Sequence, residues 1–237
     1  NPPYYTLQLF VPTAASPLRI ENPFPTGRGV SPLTSANTVD PQFRTAYSHQ
    51  VSAGVTHAFA GVDVTARYVG AFGRNLVRKR NLNQPVPGPG SLDARRPIAG
   101  FGDILIVESQ AHSSYHGLQV SLDHPLRDGL DAHLAYTWSR SMDDASAFLA
   151  SDGNDNTPQD SRNLAAEWGP SDFDVRHRLV ASLTWTAAGE SLPLWLAGWR
   201  LSTLVTVQSG RPFTPRLSTD NSNTGNAAGA TFASDRP

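Results

Sequence analysis

Cysteine is absent from the 237 residues. That excludes a disulfide framework, a thiolate metal site and a cysteine nucleophile, and leaves the compartment open. Lysine occurs once, at Lys79, with arginine supplying the other strongly basic side chains. Net charge is also missing: the formal sum is −1, so nothing marks a nucleic-acid partner. No basic segment followed by an apolar run marks a secretory signal. Long hydrophobic runs are lacking. The longest, Leu192 to Val207, is broken by Arg200 and several polar residues. A membrane helix needs roughly 20 apolar residues, so an ordinary helical membrane protein is excluded. A β-barrel is not, because its strands cross in about 9–11 residues of which only alternate ones are apolar.

Helical periodicity is scarce, and proline and glycine recur throughout. What is present is alternation with a period of two, the signature of a strand with unlike faces. Val51, Ala53, Val55, His57 and Phe59 alternate with polar or small residues, as do Val62, Val64, Ala66 and Tyr68. Leu118, Val120 and Leu122 follow, then Leu130, Ala132, Leu134, Tyr136 and Trp138. Leu179, Ala181, Leu183 and Trp185 form a fifth set, and Trp199, Leu201, Thr203, Val205 and Val207 a sixth. A short run, Asp103 to Val107, is apolar on both sides and has no readable orientation.

These segments predict an all-β, antiparallel up-and-down meander of about six to eight strands, part of a transmembrane barrel. The expected layout is a loop over 1–45, a hairpin over 46–72, a long loop over 73–113 with a possible short strand, and a hairpin over 114–141. An acidic loop over 142–174, a hairpin over 175–210 and a loop over 211–237 complete it. Short turns thus alternate with long connections. Antiparallel hairpins with that rhythm put all short turns on one side, as outer-membrane barrels do with periplasmic turns and extracellular loops. On this scheme Phe59, Trp185, Trp195 and Trp199 fall near the periplasmic rim, and Tyr68, Phe72, Tyr136 and Trp138 toward the outer rim. They would form two aromatic girdles against outer-membrane lipid. The opposite parity carries Asp63, Arg67, Gln119, Asp131, His133, Arg200 and Gln208, expected to face a watery lumen.

Several stretches carry a family resemblance: DPQFRTAYSHQ (40–50), YVGAFGRNLVRKRNLNQP (68–85), SSYHGLQVSL (113–122), YTWSRSMDDAS (136–146), DNTPQDSRNLAAEWGPSDFDVRHRLV (155–180), GWRLSTLVTVQSGRPFTP (198–215) and DNSNTGN (220–226). Their collinear order resembles the Oar-like, carboxypeptidase-regulatory-like branch of TonB-dependent outer-membrane transporters. The resemblance implies a barrel of about 22 strands closed around a plug. It also implies drive by TonB–ExbB–ExbD through the plug and a TonB box, residence in a Gram-negative-type outer membrane, and uptake or export of an unknown ligand. With six to eight strands and loop-like sequence at Asn1 and Pro237, we expect an internal fragment of that barrel.

Candidate chemistry concentrates in 142–174, where Asp143, Asp144, Asp152, Asp155, Asp160, Glu167, Asp172 and Asp174 face one base, Arg162. A solvated loop is the simplest reading. Clustered carboxylates also suit a ligand or Ca²⁺, with Asp143, Asp144, Asp152, Asp155 and Asp160 as candidate contacts. Otherwise no cofactor and no metal site is expected. The run SDFDVRHR places Asp172, Asp174, Arg176, His177 and Arg178 where the chain re-enters the wall, which reads as an ion-paired rim network. No nucleophile elbow accompanies it, and no enzyme is expected. His112 and His116 lie four apart, a ligand spacing on a helix but not in strand-like sequence. The basic run from Arg67 to Arg96 reads as solvated loop. Two other readings compete with transport: a surface adhesin or structural barrel binding a partner through its loops, and a soluble β-sandwich binding module.

Overall fold

The computed structural model describes residues 10, 12, 17–24, 33–127, 129–146, 157–187, 195, 198–215, 217, 219–225, 235 and 236. Its strands form one eight-stranded sheet. In chain order they are β1 (Thr34–Val39), β2 (Tyr47–Phe59), β3 (Val62–Asn81), β4 (Phe101–Arg127), β5 (Leu130–Asp143), β6 (Gly169–Pro170), β7 (His177–Thr186) and β8 (Arg200–Gln208). The spatial order β2-β3-β4-β5-β7-β8 follows the chain, and every pair on this path is antiparallel. The expected meander is therefore present.

Short connections explain the neighbour order, since a tight turn can only return the chain beside itself. Ala60 and Gly61 close β2–β3 with φ of 52° and 83°. Two positive φ values match the twist of a two-residue hairpin. At the next such turn Gly129 has φ 81°, and an added Cβ would lie 2.4 Å from the Thr186 carbonyl oxygen, so glycine is required. Ala187 closes the β7–β8 turn against Gly198 and Trp199 through backbone hydrogen bonds.

The opposite end departs from the sequence expectation. Residues 73–113 are not a long loop: β3 runs on to Asn81 and β4 begins at Phe101, leaving only 82–100 as connection. Two register shifts, between Gly73 and Leu76 and between Leu76 and Arg78, interrupt the alternation there. Each bulge adds a residue and re-phases the period-two pattern, which hides the strand from a parity reading. The basic run also misled, because Arg78 and Arg80 are paired in the ladder with Glu108 and Ile106 rather than solvated. The 103–107 segment belongs to β4 and has a strand on both sides: Leu105–Val107 face Lys79–Asn81 of β3, and Ile104–Val107 face Ala36–Val39. The expected 1–45 loop thus contains β1, which pairs in parallel with β4 beyond the point where β5 stops. Within 142–174, β5 extends to Asp143 and is met by β6.

No second layer covers the sheet among the described residues. Ala111 and Ala187 are the buried hydrophobic side chains, whereas Val55, Trp138, Leu201 and Val207 stand more than half exposed. A soluble sandwich needs one face of its sheet packed against another. That alternative finds no support in this arrangement.

Candidate functional site

Cross-strand partners share a face, so the register sorts every side chain. One face carries the row Val55, Ala66, Val120, Tyr136, Leu179, Val207 and, beside it, the row His57, Val64, Leu122, Leu134, Ala181, Val205. Aromatics lie on this same face at both ends. Phe59 and Trp185 are next to the short turns, with Trp195 and Trp199 in the β7–β8 connection. Tyr68 and Trp138 share the row Ala53, Tyr68, Leu118, Trp138, His177, and Phe72 lies four residues beyond Tyr68 on the same face. From Trp185 to His177 the strand climbs eight residues, roughly 26 Å along its axis and about 20 Å at a tilt of ~40°.

The other face is polar. Asp63, Asp123, His133 and Ser182 form one row, and Gly54, Arg67, Gln119, Thr137, Arg178 and Gln208 another. His133 Nδ1 is hydrogen-bonded to Asp123, which stands across from Asp63. Asp131 stands opposite Thr184, whose hydroxyl is 3.1 Å from that of Ser202, and Arg200 pairs with Thr186. The seven polar residues singled out by parity thus lie on one face.

At the long-connection end, segments distant in sequence pack into a polar cap. Glu108 is fully buried and receives Arg78 Nε at 2.7 Å and Arg80 Nε at 2.9 Å. Asn83, also fully buried, closes the 82–100 connection. Its amide donates to the carbonyls of Ile98, Phe101 and Gly102, and its oxygen accepts from Ile98 N–H. The Gln84 side chain bonds in both directions with the backbone of the acidic segment, as Ser161 N–H donates to Gln84 Oε1 and Gln84 Nε2 donates to the Gln159 carbonyl. Arg236 joins Gln159 and Glu167, and Arg95 donates to the Asn223 carbonyl. The described part of 142–174 is accordingly not a freely solvated loop: Ser161, Ser171 and Asp174 are buried. No combination of charge and parity could have singled out Asn83, Gln84 or Glu108, because their partners are backbone groups and arginines brought in by the fold.

The candidate acids separate. Asp144 receives the His112 N–H at 2.8 Å and Arg78 Nη1 at 3.4 Å. Asp143 accepts from the Ser146 hydroxyl. Asp160 lies apart, bound to Arg162 at 2.7 Å. Burial of Asp160 works to raise its pKa, but the side-chain and backbone hydrogen bonds from Arg162 and that residue's charge outweigh it, and the net shift is downward. Arg96 is pushed up: burial opposes the charge, and Asp103 and Asp93 overcome it. Asp152 and Asp155 lie outside the described residues. Among the described residues no group of three or more His, Asp or Glu side chains could hold a metal.

Of the re-entry residues, Asp174 and Arg176 form an ion pair at 2.8 Å, and Asp174 also accepts Ser141 N–H at 2.6 Å. Asp172 is exposed and bound through its backbone N–H to Ser146. Arg178 sits on the polar face, and His177 turns to the apolar face and meets the Tyr136 hydroxyl. One charged pair, rather than a five-residue network, anchors the re-entry. Two cavities open in the cap, of about 210 Å³ beside Asp143, Glu167, Trp168 and Asp172, and about 570 Å³ beside Arg44, Arg78 and His112, with Asp144 lining both.

The model of the family described as outer membrane beta barrel domain matches residues 1–237. This chain belongs to that family. As an outer-membrane β-barrel domain, it is located in the outer membrane. Its fold is similar to the crystal structure of the outer membrane transporter YddB from Escherichia coli, with a TM-score of 0.51 at 12% identity over 82% of this chain. The match spans 25% of that chain, so the present residues correspond to about a quarter of its length. No curated protein matches the sequence.

Proposed function

We propose that the chain is a stretch of the wall of a TonB-dependent, energy-coupled transporter of the Oar-like branch, with the polar face lining the lumen and the apolar face against lipid. The single observation that carries this reading is the register: every aliphatic row lies on one uncovered face, the polar rows lie on the other, and the long connections gather at one end. An uncovered aliphatic face is stable in hydrocarbon and costly in water. The polar rows would meet the plug, and the cap would stand outside the cell and contribute to ligand capture. The polar residues repeat by strand and do not converge on a nucleophile, a base and an orienting group, so the role is binding and passage rather than catalysis.

The test uses the full-length protein, including the sequence upstream of Asn1. Purified in detergent, it should bind the periplasmic domain of TonB, and cells lacking TonB should lose uptake while keeping surface binding of the ligand. A full-length protein with no plug and no TonB binding, whose surface adhesion is indifferent to TonB, would establish the adhesin instead. A chain that stays monomeric in water without detergent would end both membrane readings.

A further inference from the structure

The apolar face holds bases and no acid. Below the first bulge, from His49 to Phe59 on β2 and along the matching parts of β3, β4, β5, β7 and β8, its ionisable side chains of acid–base character are His49, His57, His116, His124, Arg140 and His177. Asp63, Asp123, Asp131 and Asp143 are all on the opposite face. Three of the bases converge. His116 stands directly across from Arg140, and His177 directly across from Trp138, two residues from Arg140 on the same face. Directly opposed residues have Cβ atoms about 5 Å apart and diagonal ones about 7–8 Å. The three side chains therefore occupy two adjacent rows on three consecutive strands, at and just beyond the outer aromatic row.

Each imidazole is oriented by a tyrosine. The Tyr68 hydroxyl lies 2.8 Å from His116 Nδ1, and the Tyr136 hydroxyl 2.7 Å from His177 Nδ1. A phenol that donates to Nδ1 leaves the ring's own proton on Nε2, as an outward donor. Gly70 leaves the space for this: an added Cβ there would stand 3.0 Å from the Tyr68 hydroxyl and 3.0 Å from Val51 Cγ1. Arg140 is exposed and has no hydrogen-bond or ion-pair partner among the described residues. An arginine facing lipid costs about 2–4 kcal/mol at mid-bilayer and about 0–1 near the interface, so it belongs at headgroup level, with its counter-charge from the membrane.

Resting on the wall orientation proposed above, we infer that His116, Arg140 and His177 form a site for the phosphate of an outer-leaflet lipid headgroup, with Tyr68 and Tyr136 as positioning residues. A guanidinium fork and two imidazole N–H groups match an anion with several acceptor oxygens, and the acid-free face carries no competing counter-ion.

The intact protein, purified in detergent, is titrated with bisphosphorylated lipid A and with its enzymatically dephosphorylated counterpart, and bound lipid is read by native mass spectrometry. We expect the phosphorylated lipid to bind at least about tenfold more tightly, and the triple variant His116→Gln/Arg140→Gln/His177→Gln to lose that difference. Tyr68→Phe should lose part of it, whereas Arg67→Gln on the polar face should lose none. Equal binding of the two lipids, or a triple variant indistinguishable from the parent, would overturn the site while leaving a detergent-folded barrel intact. A protein that needs no detergent would instead overturn the wall reading and the site with it.

Discussion

At the residue scale, two positions run against their local chemistry. Ala60 sits at φ 52° in the β2–β3 turn, a region that costs a side chain with a Cβ about 1–2 kcal/mol. Ala60→Gly should therefore stabilise the hairpin by about 1 kcal/mol, less the added entropy of the unfolded glycine. Urea unfolding in detergent micelles or vesicles measures it, and a loss of stability would show that the turn does not hold this conformation. Glu108 is the reverse case, a buried carboxylate between Arg78 and Arg80. Removing one member of a buried ion pair leaves uncompensated charge, so Glu108→Ala should cost about 3–5 kcal/mol. The loss should concentrate in the cap, with hydrogen exchange accelerating in 78–108 and 157–171 before it does in the aliphatic rows.

Asp160 predicts how the cap responds to acid. Its carboxyl is held below the ordinary value of 3.8, principally by Arg162 against the opposing effect of burial. A depressed folded-state pKa contributes stability that is complete above the unfolded value and is lost as pH falls through the folded one. Protection of the backbone around 160–163 should accordingly be flat from neutrality down to about pH 4 and fall below it. In Asp160→Asn that pH dependence should disappear. Protection that falls in the parent and the variant alike would assign the acid response to other carboxyls.

At the scale of elements, the sequence disclosed the wall but not its upper end. Alternation was readable from Val51 to Phe59, in Leu130 to Trp138 and in Leu179 to Trp185, because those strands have one apolar and one polar side and no bulge. The upper halves of β3 and β4 were not readable. Asn75, at φ 53°, marks a bulge that shifts Leu76, Arg78 and Arg80 onto the polar face out of phase with Arg67. Asn83 and Gln84 resemble ordinary loop residues in a Pro/Gly-rich stretch, and only long-range hydrogen bonds reveal that they are buried. Parity placed the polar and the aromatic residues on their respective faces. It had no means of recognising which of them touch, as Tyr68 and His116 do across the sheet.

At the scale of the whole molecule, the sheet ends in two open edges. β2 and β8 are each paired on one side only, and every residue of both is exposed. Such edges offer unpaired backbone groups, which hydrocarbon does not tolerate. In a closed barrel both are matched by further strands, which is consistent with a chain that spans a quarter of a related fold. The scarcity of buried hydrophobic side chains among the described residues fits the same picture, since a barrel wall meets bilayer and lumen where a soluble sheet meets packed layers.

The parallel strand β1 has a consequence for assembly. It lies against β4 on the side of β5, while β2 lies beyond β3, so residues 40–46 must travel across the β3–β4 ribbon. Phe43 N–H returns to the Asp40 carbonyl and Arg44 N–H is tied to the Ser109 hydroxyl on the way. The topology predicts a chronology: the β3–β4 ribbon zips first, and the N-terminal thread is drawn over it afterwards. Pulse-labelling during refolding should find amides 36–39 protected later than 114–123, and the opposite order would mean the thread is a nucleus rather than a suture.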